Sequence, residues 1–78
     1  MEKILEESWA YILYRHGEDY YLEVVCGRAA VFTVTIQLKP SEIAQFKEHG
    51  EKNIVSLANA IMASPTNFEE RFTRLPKE

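Results

Sequence analysis

His16, Glu18 and Asp19 are the densest group of ligand-type side chains in the sequence. An imidazole and two carboxylates around Gly17 could hold a divalent cation, or could supply an acid and a base. The same residues are also what an exposed hairpin turn is made of, since Gly and Asp serve turns for backbone reasons alone. The turn is the better reading. His49 precedes Gly50 and reads as the basic residue in the last turn of a helix. Cys26 is the single cysteine, has no directly adjacent cationic or His residue to lower its pKa, and reads as a small apolar side chain on the core face. A nucleophile–His dyad would need Ser8, Ser41, Ser56 or Cys26 to meet a His through the fold, since none stands beside one in sequence. The three glycines are scattered, so there is no phosphate-cradling loop, and no Cys or His spacing suggests zinc. No catalytic, metal-binding or cofactor-binding residue is assigned, and a non-enzymatic protein without cofactor is expected.

The stronger signal is a surface. Ile12, Tyr14, Tyr21, Val25 and Val31 fall at positions that can share one face of a sheet, with Glu23 among them. Apolar and aromatic side chains on a face turned away from the core mark protein partners or grooves. Glu23 reads either as a solvated, edge-protecting charge or as a polar anchor inside that patch. The patch is either open or covered by Phe68, Phe72 or the N-terminal segment.

Three β-rich runs must position these residues. Trp9–Arg15, Tyr20–Cys26 and Ala30–Leu38 are dominated by β-branched and aromatic residues, which favour a pleated, half-buried surface. In the third run Phe32, Val34, Ile36 and Leu38 alternate with Thr33, Thr35 and Gln37, and this alternation sets the register. A two-residue turn at Gly27-Arg28 would bury Glu23. A three-residue turn, Gly27-Arg28-Ala29, avoids that and places Val24 opposite Phe32 and Leu22 opposite Val34. The first turn places Leu13 opposite Leu22, Tyr11 opposite Val24 and Tyr14 opposite Tyr21, with Gly17 supplying a positive φ. The core face then carries Trp9, Tyr11, Leu13, Leu22, Val24, Cys26, Phe32, Val34 and Ile36. The other face carries the patch, with Glu23 near Ile12 and Thr33.

Helices follow. Pro40 and Glu42 open the first, although its expected cap, Lys39, is a poor one; Gly50 ends it. Ile54, Leu57, Ala58, Ile61 and Met62 form one apolar stripe on a second helix. Ser64-Pro65 stops that helix and can start a third, on which Phe68 and Phe72, four apart, could pack together. Residues 1–7 read as a strand extension or a short helical turn, and the stretch from Thr73 onward reads as loose. The expected fold is α+β: a three-stranded antiparallel meander followed by two or three helices packed on one sheet face, in one small domain spanning residues 1–78.

With 46% apolar and 27% charged residues, the composition is that of a globular chain rather than a disordered one. A net charge of −3 weighs against nucleic-acid and anionic-membrane binding. One cysteine allows no internal disulfide. With no signal peptide and no long apolar run either, a cytoplasmic protein is expected. The function that these features favour is a protein-interaction module. It would bind a protein partner, or itself as a homodimer, through the non-core sheet face or a sheet edge. A small inhibitor or antitoxin-like neutralising protein is one version. The alternatives are a small enzyme or metal binder using His16, Glu18 and Asp19, and an accessory subunit whose patch is covered in an assembly.

Overall fold

The computed structural model describes residues 1–27 and 30–76. Four strands, β1 (Glu2–Glu7), β2 (Tyr11–His16), β3 (Asp19–Cys26) and β4 (Phe32–Gln37), form one antiparallel sheet in sequence order. Two α-helices follow, α1 (Pro40–His49) and α2 (Glu51–Ala63), and then a 3₁₀ helix over Pro65–Arg71. The α+β class and antiparallel sheet are as expected; the strand count is four rather than three.

Residues 1–7, expected as a strand extension or a short helical turn, instead supply a separate strand, β1. Its sequence, Glu-Lys-Ile-Leu-Glu-Glu, lacks the period-2 alternation that identifies a half-buried strand. A bulge between Lys3 and Leu5 interrupts the pairing with β2, and the adjacent Ile4 and Leu5 both pack against the core. Because β1 exists, residues 8–10 become the reversal into β2. Trp9 therefore leaves the core face expected for it: it sits in the turn at φ 62° and is 85% exposed.

β2 and β3 pair as expected, Tyr11 with Val24, Leu13 with Leu22 and Tyr14 with Tyr21, across a two-residue turn at Gly17-Glu18. Gly17 has the anticipated positive φ, 65°. The β3–β4 register differs by two residues. Val24 pairs with Val34, Leu22 with Ile36 and Cys26 with Phe32, so residues 27–31 connect the strands. A two-residue shift leaves every side chain on its expected face, which is why alternation alone could not detect it. Gly27 begins the connection at φ 99°, with the Ala30 carbonyl folded over the space where a Cβ would stand. Arg28 and Ala29 of the expected turn lie outside the described residues. The shift also places Phe32 at the strand's start, 47% exposed rather than in the core, and puts Glu23 opposite Thr35 rather than Thr33.

Leu13, Leu22, Val24 and Ile36 from the sheet meet Ile54, Ala58 and Ile61 from α2, all almost fully buried. A fully buried aliphatic side chain of this kind contributes about 1.5–3 kcal/mol. That exceeds the ~1 kcal/mol of a typical helix cap, so the apolar stripe decides where α2 lies. Leu57 and Met62 complete the stripe at its margins, half-buried. α1 packs less deeply: Ile43 and Phe46 are half-buried, and Phe46 meets Tyr20 edge-on at 6.3 Å. Lys39 is its N-cap without a capping side chain, and Glu42 instead accepts the Lys39 backbone N–H at 2.7 Å.

Beyond α2 the 3₁₀ segment turns every 3.0 residues, so Phe68 and Phe72 do not share a face as an α-helix would place them. Phe68 packs on the core, while Phe72 leaves the helix and forms a β-bridge with Ile36. The Thr73 N–H donates to the Thr35 carbonyl at 2.8 Å. The stretch read as loose is thus tied to β4 at its start; residues 77 and 78 lie outside the described residues.

Candidate functional site

All the core contacts of α2 are made on one side of the sheet, and the patch lies on the other, hereafter the far face. At its centre Tyr14 stands opposite Tyr21, with Ile12 opposite Glu23 on one side. Val25 pairs with Thr33 further along, and Tyr21 also pairs with Gln37. β1 adds Lys3 opposite Tyr14 and Glu6 opposite Ile12, two residues that reading the strands alone did not place there. Their signal was available only through the strand assignment that the bulge obscures.

The five strand residues of the patch are not equally accessible. Tyr21 is buried at 9% exposure, whereas Ile12, Tyr14, Glu23 and Val25 are half-buried. Tyr21 is therefore a floor, and Tyr14 is the aromatic group a partner can reach. Val31 does not belong to the face: it lies in the β3–β4 connection, 63% exposed, at the end of the sheet.

Burial pushes the Tyr14 phenol up from its ordinary range, and the nearby Glu23 and Glu6 carboxylates add to the shift. The group is held as a neutral hydroxyl able to donate a hydrogen bond, with acidic groups beside it. The β4 margin of the face is walled by the C-terminal segment. Phe72, Thr73 and Leu75 line a groove of ≈ 330 Å³ together with Glu23, Thr33 and Thr35. The cover is thus partial, and comes from residues beyond the 3₁₀ helix rather than from Phe68.

Both sheet edges resist pairing with another strand. β1 carries Glu2, Lys3, Glu6 and Glu7 along with its bulge, and Glu2 pairs with Arg15 at 2.5 Å. Charged residues and bulges blunt an edge. The β4 edge is occupied at Thr35 and Ile36 by Thr73 and Phe72. The expectation that a partner could use a sheet edge is therefore less well served than the face.

The other candidate residues do not converge. His16 and Asp19 pair across the first hairpin with Glu18 in its turn. Among the described residues, no three His, Cys, Asp or Glu side chains are grouped so as to hold a metal ion. His49 is exposed and has Glu48 3.9 Å away. Cys26 is buried on the core side, and burial pushes its thiol up, away from the reactive thiolate.

Comparison with known proteins returns no match to a family model, a curated protein or a solved structure. Among the described residues no helix is long and apolar enough to cross a membrane.

Proposed function

We propose that this chain is a protein-interaction module that receives a protein partner, or a second copy of itself, on the far face around Tyr14. The observation that supports this is the placement of the helices. They cover the core face, while Ile12, Tyr14 and Val25 are left half-exposed on the face that carries no helix. Tyrosine is enriched at interfaces because its ring supplies contact area and its hydroxyl supplies direction. Glu6, Glu23 and Lys3 surround Tyr14, with Lys3 and Glu6 3.8 Å apart, so the rim is mixed with an acidic balance and favours a partner with an apolar centre and polar, on balance basic, groups around it. A small inhibitor or antitoxin-like neutralising protein is a concrete version, acting by occupying a partner's surface rather than by chemistry. The acidic balance suits neither a nucleic acid nor an anionic membrane, and a single unpaired cysteine suits the cytoplasm.

Capture from the native cell with wild type, Tyr14→Ala and Tyr14→Lys tests the reading. A reproducible partner lost at least about tenfold with both variants, equivalent to ~1.4 kcal/mol, supports it. A partner retained by both moves the site elsewhere. Tyr21 variants are unsuitable, because that ring is part of the fold.

A further inference from the structure

A second surface lies at the end of the sheet where the β1–β2 turn and the β3–β4 connection sit side by side. The Val25 N–H donates to the Ala10 carbonyl at 2.9 Å, which brings the Trp9 turn against the end of β3. Trp9, Val31 and Phe32, exposed by 85%, 63% and 47%, all stand at this end. Trp9 is held at φ 62°, a left-handed conformation that costs a bulky residue free energy and that glycine or asparagine would adopt more readily. Val25 also walls a groove of ≈ 470 Å³ with Cys26, Phe32, Met62 and Pro65, whose surface is polar and apolar in about equal measure. An indole is smaller than the ligands that grooves of a few hundred Å³ accept.

From this pairing of a projecting ring with a neighbouring groove, we infer that the end of the sheet is a surface for a second copy of this chain. Trp9 of each copy enters the groove of the other. The arrangement is self-complementary, as a two-fold interface requires: one patch carries both the knob and the hole. Charge points the same way. The chain has a net charge of −3, so two copies repel through most of their surfaces. At this end charges are few: Trp9, Val31 and Phe32 have uncharged neighbours in sequence, and Glu7 at the start of the turn and Arg28 of the β3–β4 connection are the charged residues nearest them in sequence. Area is also adequate for a reversible dimer. The three exposed side chains present on the order of 400 Å², about half of the ~800 Å² per partner of a standard stable interface, and the groove walls other than Phe32 add to it. This surface is separate from the Tyr14 face, and the inference does not rest on the function proposed for that face.

Sedimentation velocity of the full chain, from about 1 µM to about 1 mM, tests it across the weak end of specific association. Trp9 is the single tryptophan, so its fluorescence reports the same event. The expected result is a concentration-dependent shift from monomer to dimer with a parallel blue shift of the emission. Trp9→Gly, which suits the turn, abolishes the dimer and keeps the fold by circular dichroism. Met62→Glu, placing a charge in the groove wall, abolishes it while leaving Trp9 in place. A chain monomeric at all concentrations with unchanged emission overturns the inference and leaves this end to a different partner. A dimer that survives Trp9→Gly but is lost with Tyr14→Lys overturns it in favour of the far face.

Discussion

Arg71 closes on Glu42 with both terminal nitrogens, Nη1 to Oε2 at 3.0 Å and Nη2 to Oε1 at 2.5 Å, while Nη2 also reaches the Gln37 carbonyl at 3.0 Å. One guanidinium thus ties the end of the 3₁₀ helix to the start of α1 and the end of β4. The planar fork of arginine suits this bidentate contact, which a lysine could not reproduce. Both side chains are largely shielded from water.

Glu42 also sets a pH dependence. Burial, the largest single influence, would raise its pKa, but the Arg71 and Lys39 hydrogen bonds and the charges of those two residues together outweigh it and lower it. A carboxyl with a depressed folded pKa stabilises the fold above its unfolded value, ~4.3, and that contribution is lost as pH falls through the folded value. Glu42→Gln is therefore expected to destabilise the chain by about 1–2 kcal/mol at neutral pH. It should also flatten the loss of stability on acidification, as measured by urea melts at several pH values. An unchanged pH profile would show that Arg71 finds an equivalent partner.

Gly27 and Gly17 both have positive φ, but different surroundings. A Cβ on Gly27 would overlap the Ala30 carbonyl oxygen, whereas one on Gly17 meets nothing within 4 Å. Gly17→Ala should cost about 1 kcal/mol, from backbone strain alone. Gly27→Ala must also move the β3–β4 connection and should cost at least about twice as much. Equal costs in chemical denaturation would mean that the connection gives way freely.

The Tyr11 hydroxyl donates to Glu51 Oε2 at 2.5 Å, joining β2 to the start of α2. Burial first, then this hydrogen bond and the Glu51 and Glu7 charges, push its pKa up to about 12. Because the folded state favours the protonated phenol, the contribution is complete below the unfolded value, ~10, and is lost as pH rises through about 12. Tyr11→Phe should cost about 1 kcal/mol at neutral pH and remove part of the alkaline loss. An alkaline melt identical to wild type would remove Tyr11 from that role.

The faces of β2, β3 and β4 were legible because burial on one side enforces alternation, and a two-residue register shift preserves it. The α2 stripe from Ile54 to Met62 was legible for the same reason, with the period of a helix. What escaped was whatever depends on irregular backbone. The bulge hid β1, and with it the place of Lys3 and Glu6 beside Tyr14. The five-residue connection after Cys26 moved Val31 and Phe32 to the end of the sheet. The attachment of Thr73 to Thr35 is a backbone bond, so nothing in the side-chain pattern signals it.

Tyr14 and Tyr21 share one cross-strand pair but should respond differently to truncation. Tyr21 is buried and Tyr14 half-buried. Tyr21→Ala should cost about 3 kcal/mol or more, as for other large core truncations. Tyr14→Ala should cost about 1 kcal/mol, in line with a cross-strand contact. If Tyr14→Ala proves as costly as Tyr21→Ala in urea, Tyr14 is a structural residue, and the far face loses its best claim to a partner.

Trp9 makes the opposite prediction, because here a truncation should stabilise. In the Glu7–Ala10 turn, closed by the Ala10 N–H to the Glu7 carbonyl at 3.0 Å, Trp9 occupies the left-handed position. A left-handed backbone costs a non-glycine residue about 1–2 kcal/mol. With 85% of its surface exposed, the indole recovers little of this through burial in the monomer. Glycine removes the strain but loses about 0.4–1 kcal/mol through its more flexible unfolded chain. Trp9→Gly should therefore raise the stability of the dilute monomer by roughly 0.5–1 kcal/mol, seen as a higher urea midpoint with unchanged slope. Trp9→Ala keeps the left-handed cost and should show no such gain, which separates backbone relief from loss of the ring. If both variants are destabilised alike, the indole packs against the fold and is not free to serve as a contact for a second copy.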